Sequence, residues 1–243
     1  MAVLTVRHLD LGNTSLGPGH LAAVLTEVIW SNEIEELELT GADMDTDSVP
    51  AQLLTDSLAC LSSINLTSTC LSRTQLLSVL HSATVYWSTL SHLNLSTLDL
   101  SCLPSSLLAA ATTNLTSLRI NYSKLSTEQL TAVVRSVVKG GQVEVMEMTR
   151  QDLSLLTVRD CTKLARLRTL TSLQCNYCSM TDEITSTLLT SATRPASGLA
   201  QLGLVRADLS RIPVKTLITA RNNLTRLNIN YCKLTPQQRA AIK

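Results

Sequence analysis

A repeated spacing of apolar residues limits the possible folds of this chain more than any other feature. Each unit has one apolar residue, a second two positions later, and a Leu or Met seven positions after the first. The first residues of nine such units are Leu9, Leu37, Ile64, Leu93, Leu118, Met146, Leu173, Leu202 and Leu227. Because fixed-period similarity is the signature of stacked repeats, we predict a single solenoid domain over residues 1–243.

The repeats themselves are arranged in a larger duplication. The intervals between successive units are 28, 27, 29 and 25 residues, and the same four intervals then recur, which gives a duplicated block of 109 residues. Residues 114–125, with the sequence NLTSLRINYSKL, return at 223–234 as NLTRLNINYCKL. The 243 residues therefore contain two copies of a four-repeat block, followed by a ninth unit.

Within each unit the spacing changes from that of a strand to that of a helix. The first two apolar positions alternate with an intervening residue, as in a half-buried strand, whereas residues 130–137 place Leu and Val at i, i+3, i+4 and i+7. Capping boxes, in which a Ser or Thr precedes a Gln by three positions, predict helix starts after Ser72, Ser126 and Thr235. Each unit is therefore predicted to be a strand, a turn and a helix.

These residues resemble the leucine-rich repeat family, and units of 25 to 29 residues with a helix in each are similar to its ribonuclease-inhibitor-like branch. The resemblance implies an α/β solenoid shaped as a horseshoe, with a parallel β-sheet on the concave face and helices on the convex face. Because that branch also forms the tails of innate-immune receptors, it further implies recognition of a protein ligand, as in the sensing part of an immune-type receptor.

One column departs from the pattern of that family. The family carries Asn or Cys five positions after the first apolar residue, where the side chain bonds the neighbouring turn. Here only Cys178 and Cys232 match, and no Asn is present. We therefore expect this series of bonds to be weakened and some turns to be held differently.

The column between the two strand apolar residues is predicted to face solvent on the concave side. Its members are Asp10, Glu38, Asn65, Asn94, Arg119, Glu147, Gln174, Gly203 and Asn228. The amino-terminal repeats add Glu33, Glu35 and Glu36, whereas the later repeats add arginines. This charge difference would orient a partner, although ordinary solubility charge is the alternative.

A second column carries the strongest candidate binding residues. Four positions after the first apolar residue, the last five repeats alternate Tyr122, Arg150, Tyr177, Arg206 and Tyr231. Equivalent residues stack on parallel strands, so each Arg is expected to lie between tyrosine faces in cation–π contact. Tyr and Arg are enriched at binding hot spots, although a purely structural role is the alternative. The predicted partner-binding set also includes Arg119, Asn121, Glu147, Gln174, Asn176, Asn228 and Asn230.

The even-numbered repeats share an Asp directly before the third apolar residue. These residues are Asp43, Asp99, Asp152 and Asp208. We predict that each accepts hydrogen bonds from the backbone of its turn. One carboxylate in about 55 residues is too sparse for a calcium site, which needs six to eight oxygen ligands.

The chain lacks the motifs of the common enzyme classes. No phosphate-binding glycine loop, nucleophile elbow or zinc-protease motif is present, and a one-dimensional stack spreads side chains apart. Cys175 and Cys178 form a Cys-x-x-Cys without the second pair that a four-ligand zinc site needs, so we expect them to pack in the core. We predict a protein that is not an enzyme, with no cofactor and no metal.

The predicted partner is a protein ligand. A net charge of +1 gives no reason to expect nucleic acid, and no apolar run is long enough to span a membrane. Seven cysteines at uneven spacing, without a signal peptide, favour the cytoplasm. Six Asn-x-Ser/Thr acceptors leave an extracellular pattern or glycan binder open. A scaffold that self-associates through its ends is a further alternative.

Overall fold

The computed structural model describes residues 6–31, 33–44, 49–194 and 197–242. The strands are β1 His8–Asp10, β2 Ser15–Leu16, β3 Glu36–Glu38, β4 Asp43–Met44, β5 Ser63–Asn65, β6 His92–Asn94, β7 Ser117–Arg119, β8 Val145–Glu147, β9 Ser172–Gln174, β10 Gln201–Gly203 and β11 Arg226–Asn228. The helices are α1 Pro18–Ser31, α2 Ala51–Ala59, α3 Arg73–Ser82, α4 Ser105–Thr112, α5 Thr127–Gly140, α6 Val158–Ala165, α7 Asp182–Ala192, α8 Val214–Asn223 and α9 Pro236–Ala241.

One parallel sheet contains a strand from every repeat. Its order is β1-β3-β5-β6-β7-β8-β9-β10-β11, while β2 and β4 pair separately beside the first two repeats. The register aligns equivalent residues, so that Leu93 pairs with Leu118 and Leu118 pairs with Met146. The predicted α/β solenoid architecture is therefore confirmed by the strand register.

The core lies between the sheet and the helices. In the fourth repeat all three apolar positions, Leu93, Leu95 and Leu100, are buried. Equivalent positions in the first and ninth repeats, such as Leu9 and Leu227, are only partly buried because a single neighbouring repeat covers them. Burial therefore depends on stacking rather than on any one unit.

The helices lie together on the other side of the core, and each described helix packs against the next one in the chain. Adjacent strands are about 4.8 Å apart, whereas helices are about 10 Å wide. A stack with these unequal spacings bends with its strands inside the curve, so the sheet forms the concave face and the helices form the convex face.

The predicted helix starts are confirmed by their caps. Ser72, Ser126 and Thr235 each accept a hydrogen bond from a backbone N–H three residues later and complete a capping box. Pro236 occupies the first turn of α9, as expected for a residue without an N–H. These local contacts fix where each strand-and-turn segment gives way to its helix.

Candidate functional site

The Tyr/Arg column lies at one backbone position, directly after each strand, where the chain adopts a left-handed turn. All nine members of the column have positive φ, between 56° and 69°. They are Asn13, Gly41, Ser68, Thr97, Tyr122, Arg150, Tyr177, Arg206 and Tyr231. A residue with a side chain pays about 1–2 kcal/mol in this conformation. The turn therefore directs each side chain outward at a cost in backbone strain.

We refer to Tyr122, Arg150, Tyr177, Arg206 and Tyr231 as the rim. All five side chains are exposed to solvent. The guanidinium carbon of Arg150 lies 5.5 Å from the ring centre of Tyr122, and that of Arg206 lies 5.5 Å from the ring centre of Tyr177. Each arginine thus makes a cation–π contact with one tyrosine, which is half of the predicted contacts.

The predicted sandwich of each arginine between two tyrosines is wrong. Each arginine contacts the ring of the preceding repeat, and no cation–π contact joins it to the following ring among the residues that the structure describes. The rim is therefore two Tyr–Arg pairs followed by Tyr231, which is 82% exposed.

The predicted polar residues of the strand face bind one another. Arg119 Nε lies 3.2 Å from Glu147 Oε1, and Asn121 Nδ2 donates to Glu147 Oε2 at 2.7 Å. Asn121 Oδ1 in turn accepts from the backbone N–H of Thr149, next to the rim residue Arg150. These three side chains thus support the rim backbone from the concave side.

A second polar group lies two repeats further along the sheet. Asn176 Nδ2 donates to Gln174 Oε1 at 3.2 Å, and Asn176 Oδ1 accepts from the N–H of Val205 at 3.0 Å. A Cβ at Gly203 would lie 2.0 Å from Gln174 Oε1, so the missing side chain makes room for both amides. In the ninth repeat Asn228 Oδ1 accepts from the N–H of Asn230.

The aspartates of the even-numbered repeats accept turn hydrogen bonds, as predicted. The N–H groups of Ser101, Ser154 and Ser210 donate to Asp99, Asp152 and Asp208, while the side chain of Asp43 lies outside the described residues. Two of these aspartates also accept from a lysine of the next repeat. The Lys124 ammonium and the Ser101 hydroxyl lower the pKa of Asp99 to about 2.

The column that carries Asn or Cys in the resembling family still bonds the preceding repeat in four repeats, through Ser, Gln or Cys. Ser123 Oγ, Cys178 Sγ and Cys232 Sγ each donate to a carbonyl of the repeat before. Gln151 Nε2 donates to two such carbonyls, at 2.9 Å each. The expected weakening is therefore seen in the repeats whose column residue does not bond the repeat before. Ala42, Leu98 and Ala207 have no polar side chain, and the Thr69 hydroxyl donates to Leu66 within its own repeat.

Within the residues that the structure describes, strand, left-handed turn and helix thus recur nine times in register along one open parallel sheet. The architecture is a leucine-rich repeat solenoid. No family model matches the sequence, and no curated protein matches it. Among solved structures, the solenoid is similar to the leucine-rich repeat-containing protein LegL7 from Legionella pneumophila, at 16% identity and a TM-score of 0.49, with 97% of this chain and 87% of that chain covered.

Most of the thiols of this solenoid are structural. Burial raises the pKa of Cys161, Cys178 and Cys232 to about 11 and that of Cys175 well above its ordinary value. In the described ranges no group of three or more His, Cys, Asp or Glu side chains is arranged to hold a metal ion. None of the helices in those ranges is long and apolar enough to cross a membrane.

Two surface features were missed by sequence reasoning. Trp30, Tyr86 and Trp87 are exposed on the solenoid, and the rings of Tyr86 and Trp87 meet edge to face with centroids 4.7 Å apart. A groove between α5 and α6 is lined by basic side chains. The signal for the groove was two basic pairs at i, i+4, one on each helix, but only the fold places them side by side.

Proposed function

We propose that the solenoid is a protein-recognition module and that the rim is its binding surface. The observation that carries this proposal is the exposure of the aromatic side chains. All six, two Trp and four Tyr, are between 39% and 95% exposed, and the core is built of aliphatic residues instead. Aromatic rings stabilise a core when buried, so keeping all six at the surface forgoes that stabilisation. Three of the six exposed rings, those of Tyr122, Tyr177 and Tyr231, lie on the rim.

The rim is also preorganised for binding. Its tyrosines and arginines alternate over five successive strands, a span of about 19 Å at the spacing of a parallel sheet. The Tyr122–Arg150 and Tyr177–Arg206 contacts restrict these side chains before a partner arrives. Restricting rotamers in advance lowers the entropy cost of association, which favours this surface as a hot-spot region.

Alanine substitution of the rim tyrosines tests the proposal. The triple variant Tyr122→Ala, Tyr177→Ala and Tyr231→Ala should lose partner capture in a pull-down from source tissue, with captured proteins identified by mass spectrometry. Its circular dichroism should match that of the wild type, because the three side chains are exposed and the left-handed backbone is unchanged. Its melting temperature should fall by only a few degrees, because the two cation–π contacts that are lost are worth about 0.5–1 kcal/mol each.

The matched control replaces the other three aromatics. The variant Trp30→Ala, Tyr86→Ala and Trp87→Ala removes the same number of exposed rings away from the rim and should capture the partner as the wild type does. Equal capture by the wild type and the rim variant would contradict the proposal. So would a rim variant that no longer folds, because the tyrosines would then be structural.

The state of the cysteines supports a reducing compartment, and we propose that the module works in the cytoplasm. All seven cysteines have free thiols in the structure. Cys70 and Cys102 are exposed, where an oxidising environment would promote disulfide exchange. Mass measurement of the native protein with and without alkylation would decide this point, since paired cysteines would contradict it.

A further inference from the structure

The groove between α5 and α6 is a second candidate site, on the convex side away from the rim. It is open and has a volume of about 620 Å³. Its walls are formed by Arg135, Val138 and Lys139 of α5, by Arg159, Asp160 and Lys163 of α6, and by the α6 cap Thr157. The groove is thus built from the side chains of two adjacent repeats.

The basic residues of the groove form two i, i+4 pairs that face each other. Arg135 and Lys139 lie on one face of α5, and Arg159 and Lys163 lie on one face of α6. Like charges at this spacing repel each other and weaken a helix. Arg135 is held by a carboxylate of the neighbouring helix, and Lys139 and Lys163 lie in the last turns of their helices, where a positive charge is favourable. The two pairs together still concentrate positive charge on one surface of adjacent repeats.

One carboxylate balances part of this charge. Asp160 is buried and binds Arg135 through two nitrogens, with Nη2 3.0 Å from Oδ2, and it also accepts from the Thr157 hydroxyl at 2.8 Å. Burial would raise the pKa of Asp160, but these bonds hold it below its ordinary value. Asp160 therefore stays charged and fixes Arg135 as part of the groove wall.

The other three cations have no such partner. Within the described parts of the chain, no salt bridge joins Lys139, Arg159 or Lys163 to a carboxylate, and all three side chains are exposed. Four cations against one carboxylate leave three positive charges unbalanced. Val138 adds an apolar wall, and none of the lining residues is aromatic, so no ring is available for stacking nucleic-acid bases.

We propose that this groove binds an acidic segment of a partner polypeptide. The open shape accommodates an extended chain, the three unpaired cations supply the charge complement for its Asp and Glu side chains, and Val138 contacts its aliphatic groups. The groove would add a contact on the convex side that is independent of the rim.

A fluorescein-labelled hexaglutamate peptide tests the proposal by fluorescence anisotropy at low salt. The groove variant Lys139→Gln, Arg159→Gln and Lys163→Gln should bind it roughly tenfold or more weakly than the wild type. The control variant Arg194→Gln, Lys215→Gln and Arg239→Gln has the same net charge but exposed substitutions elsewhere, and it should bind like the wild type. The conservative variant Lys139→Arg, Arg159→Lys and Lys163→Arg should retain binding.

Several outcomes would overturn the assignment. These are no binding by the wild type, equal binding by the groove variant, and an equal loss in the control variant, which would mean attraction to bulk charge alone. Salt-dependent dimerisation of the wild type that only the groove variant loses would make a second copy the occupant. The rim triple variant should bind the peptide normally, so failure of the rim proposal and failure of the groove proposal are distinguishable.

Discussion

At the scale of single residues, the rim side chains point outward because their backbone adopts the strained left-handed conformation. Thr97 has a φ of 69°, which is unfavourable for a β-branched residue. Its hydroxyl accepts a hydrogen bond from the N–H of Ser68, which offsets part of this strain. Tyr122 and Arg150 have similar backbone strain, and among the described residues no hydrogen bond from their side chains to the neighbouring turn offsets it. The same strain recurs at all nine members of the column, so it belongs to the turn of the repeat and not to the rim alone.

Substitution of Arg206 by Gly and by Ala separates strain from the cation–π contact. Both variants lose the contact with Tyr177, which is worth about 0.5–1 kcal/mol when exposed. Only Gly also relieves the left-handed strain, so Arg206→Gly should be more stable than Arg206→Ala by about 0.5–1 kcal/mol in urea unfolding. An alanine variant that is equally or more stable, as is usual at ordinary positions, would contradict this account.

The sequence allowed prediction of which residues share a column, but not of the backbone conformation at that column. Gly41 and Asn13 stand in the same column as the rim and are residue types that tolerate positive φ, so a signal for the left-handed turn was present. No comparable signal existed for the pairing of each arginine with the preceding tyrosine alone, because side-chain direction depends on the turn geometry.

At the scale of the helix and its neighbours, buried glutamines join one repeat to the next. Gln129 completes the capping box of α5 through Oε1, while its Nε2 donates to the carbonyls of Leu100 and Leu103 in the repeat before. Gln238 makes the equivalent bonds in the ninth repeat. Sequence spacing identified the caps, whereas the bonds between repeats depend on stacking that only the structure shows.

Replacement of Gln129 by Glu should remove the bonds between repeats and keep the local cap. The carboxylate can still accept from the N–H of Ser126, but it cannot donate to the carbonyls of Leu100 and Leu103. Leaving buried acceptors without a donor should lower the free energy of unfolding by about 2–4 kcal/mol. Gln237→Glu, on the exposed face of α9, should change it by less than about 0.5 kcal/mol. Equal effects would show that the interrepeat bonds contribute little.

At the scale of the whole molecule, a net charge of +1 conceals a strong separation of charge. Residues 1–72 carry ten Asp or Glu and one Arg, whereas residues 73–243 carry 19 Lys or Arg and nine Asp or Glu. In a solenoid, order along the chain is order in space, so the two sets cannot fold against each other. From β1 to β11 the sheet spans about 38 Å, which is several Debye lengths at about 0.1 M salt.

This separation predicts that the protein binds ion exchangers of both signs. Near neutral pH and low salt, the amino-terminal part should hold the protein on an anion exchanger, and the remainder should hold it on a cation exchanger. A protein with the same net charge of +1 spread evenly over its surface would bind weakly to both. The groove variant Lys139→Gln, Arg159→Gln and Lys163→Gln should elute earlier from the cation exchanger, because its basic region is weakened. Its retention on the anion exchanger should not fall, since the acidic pole is unchanged. Passage of the wild type through the anion exchanger without retention would show that the two poles are not independent at this distance.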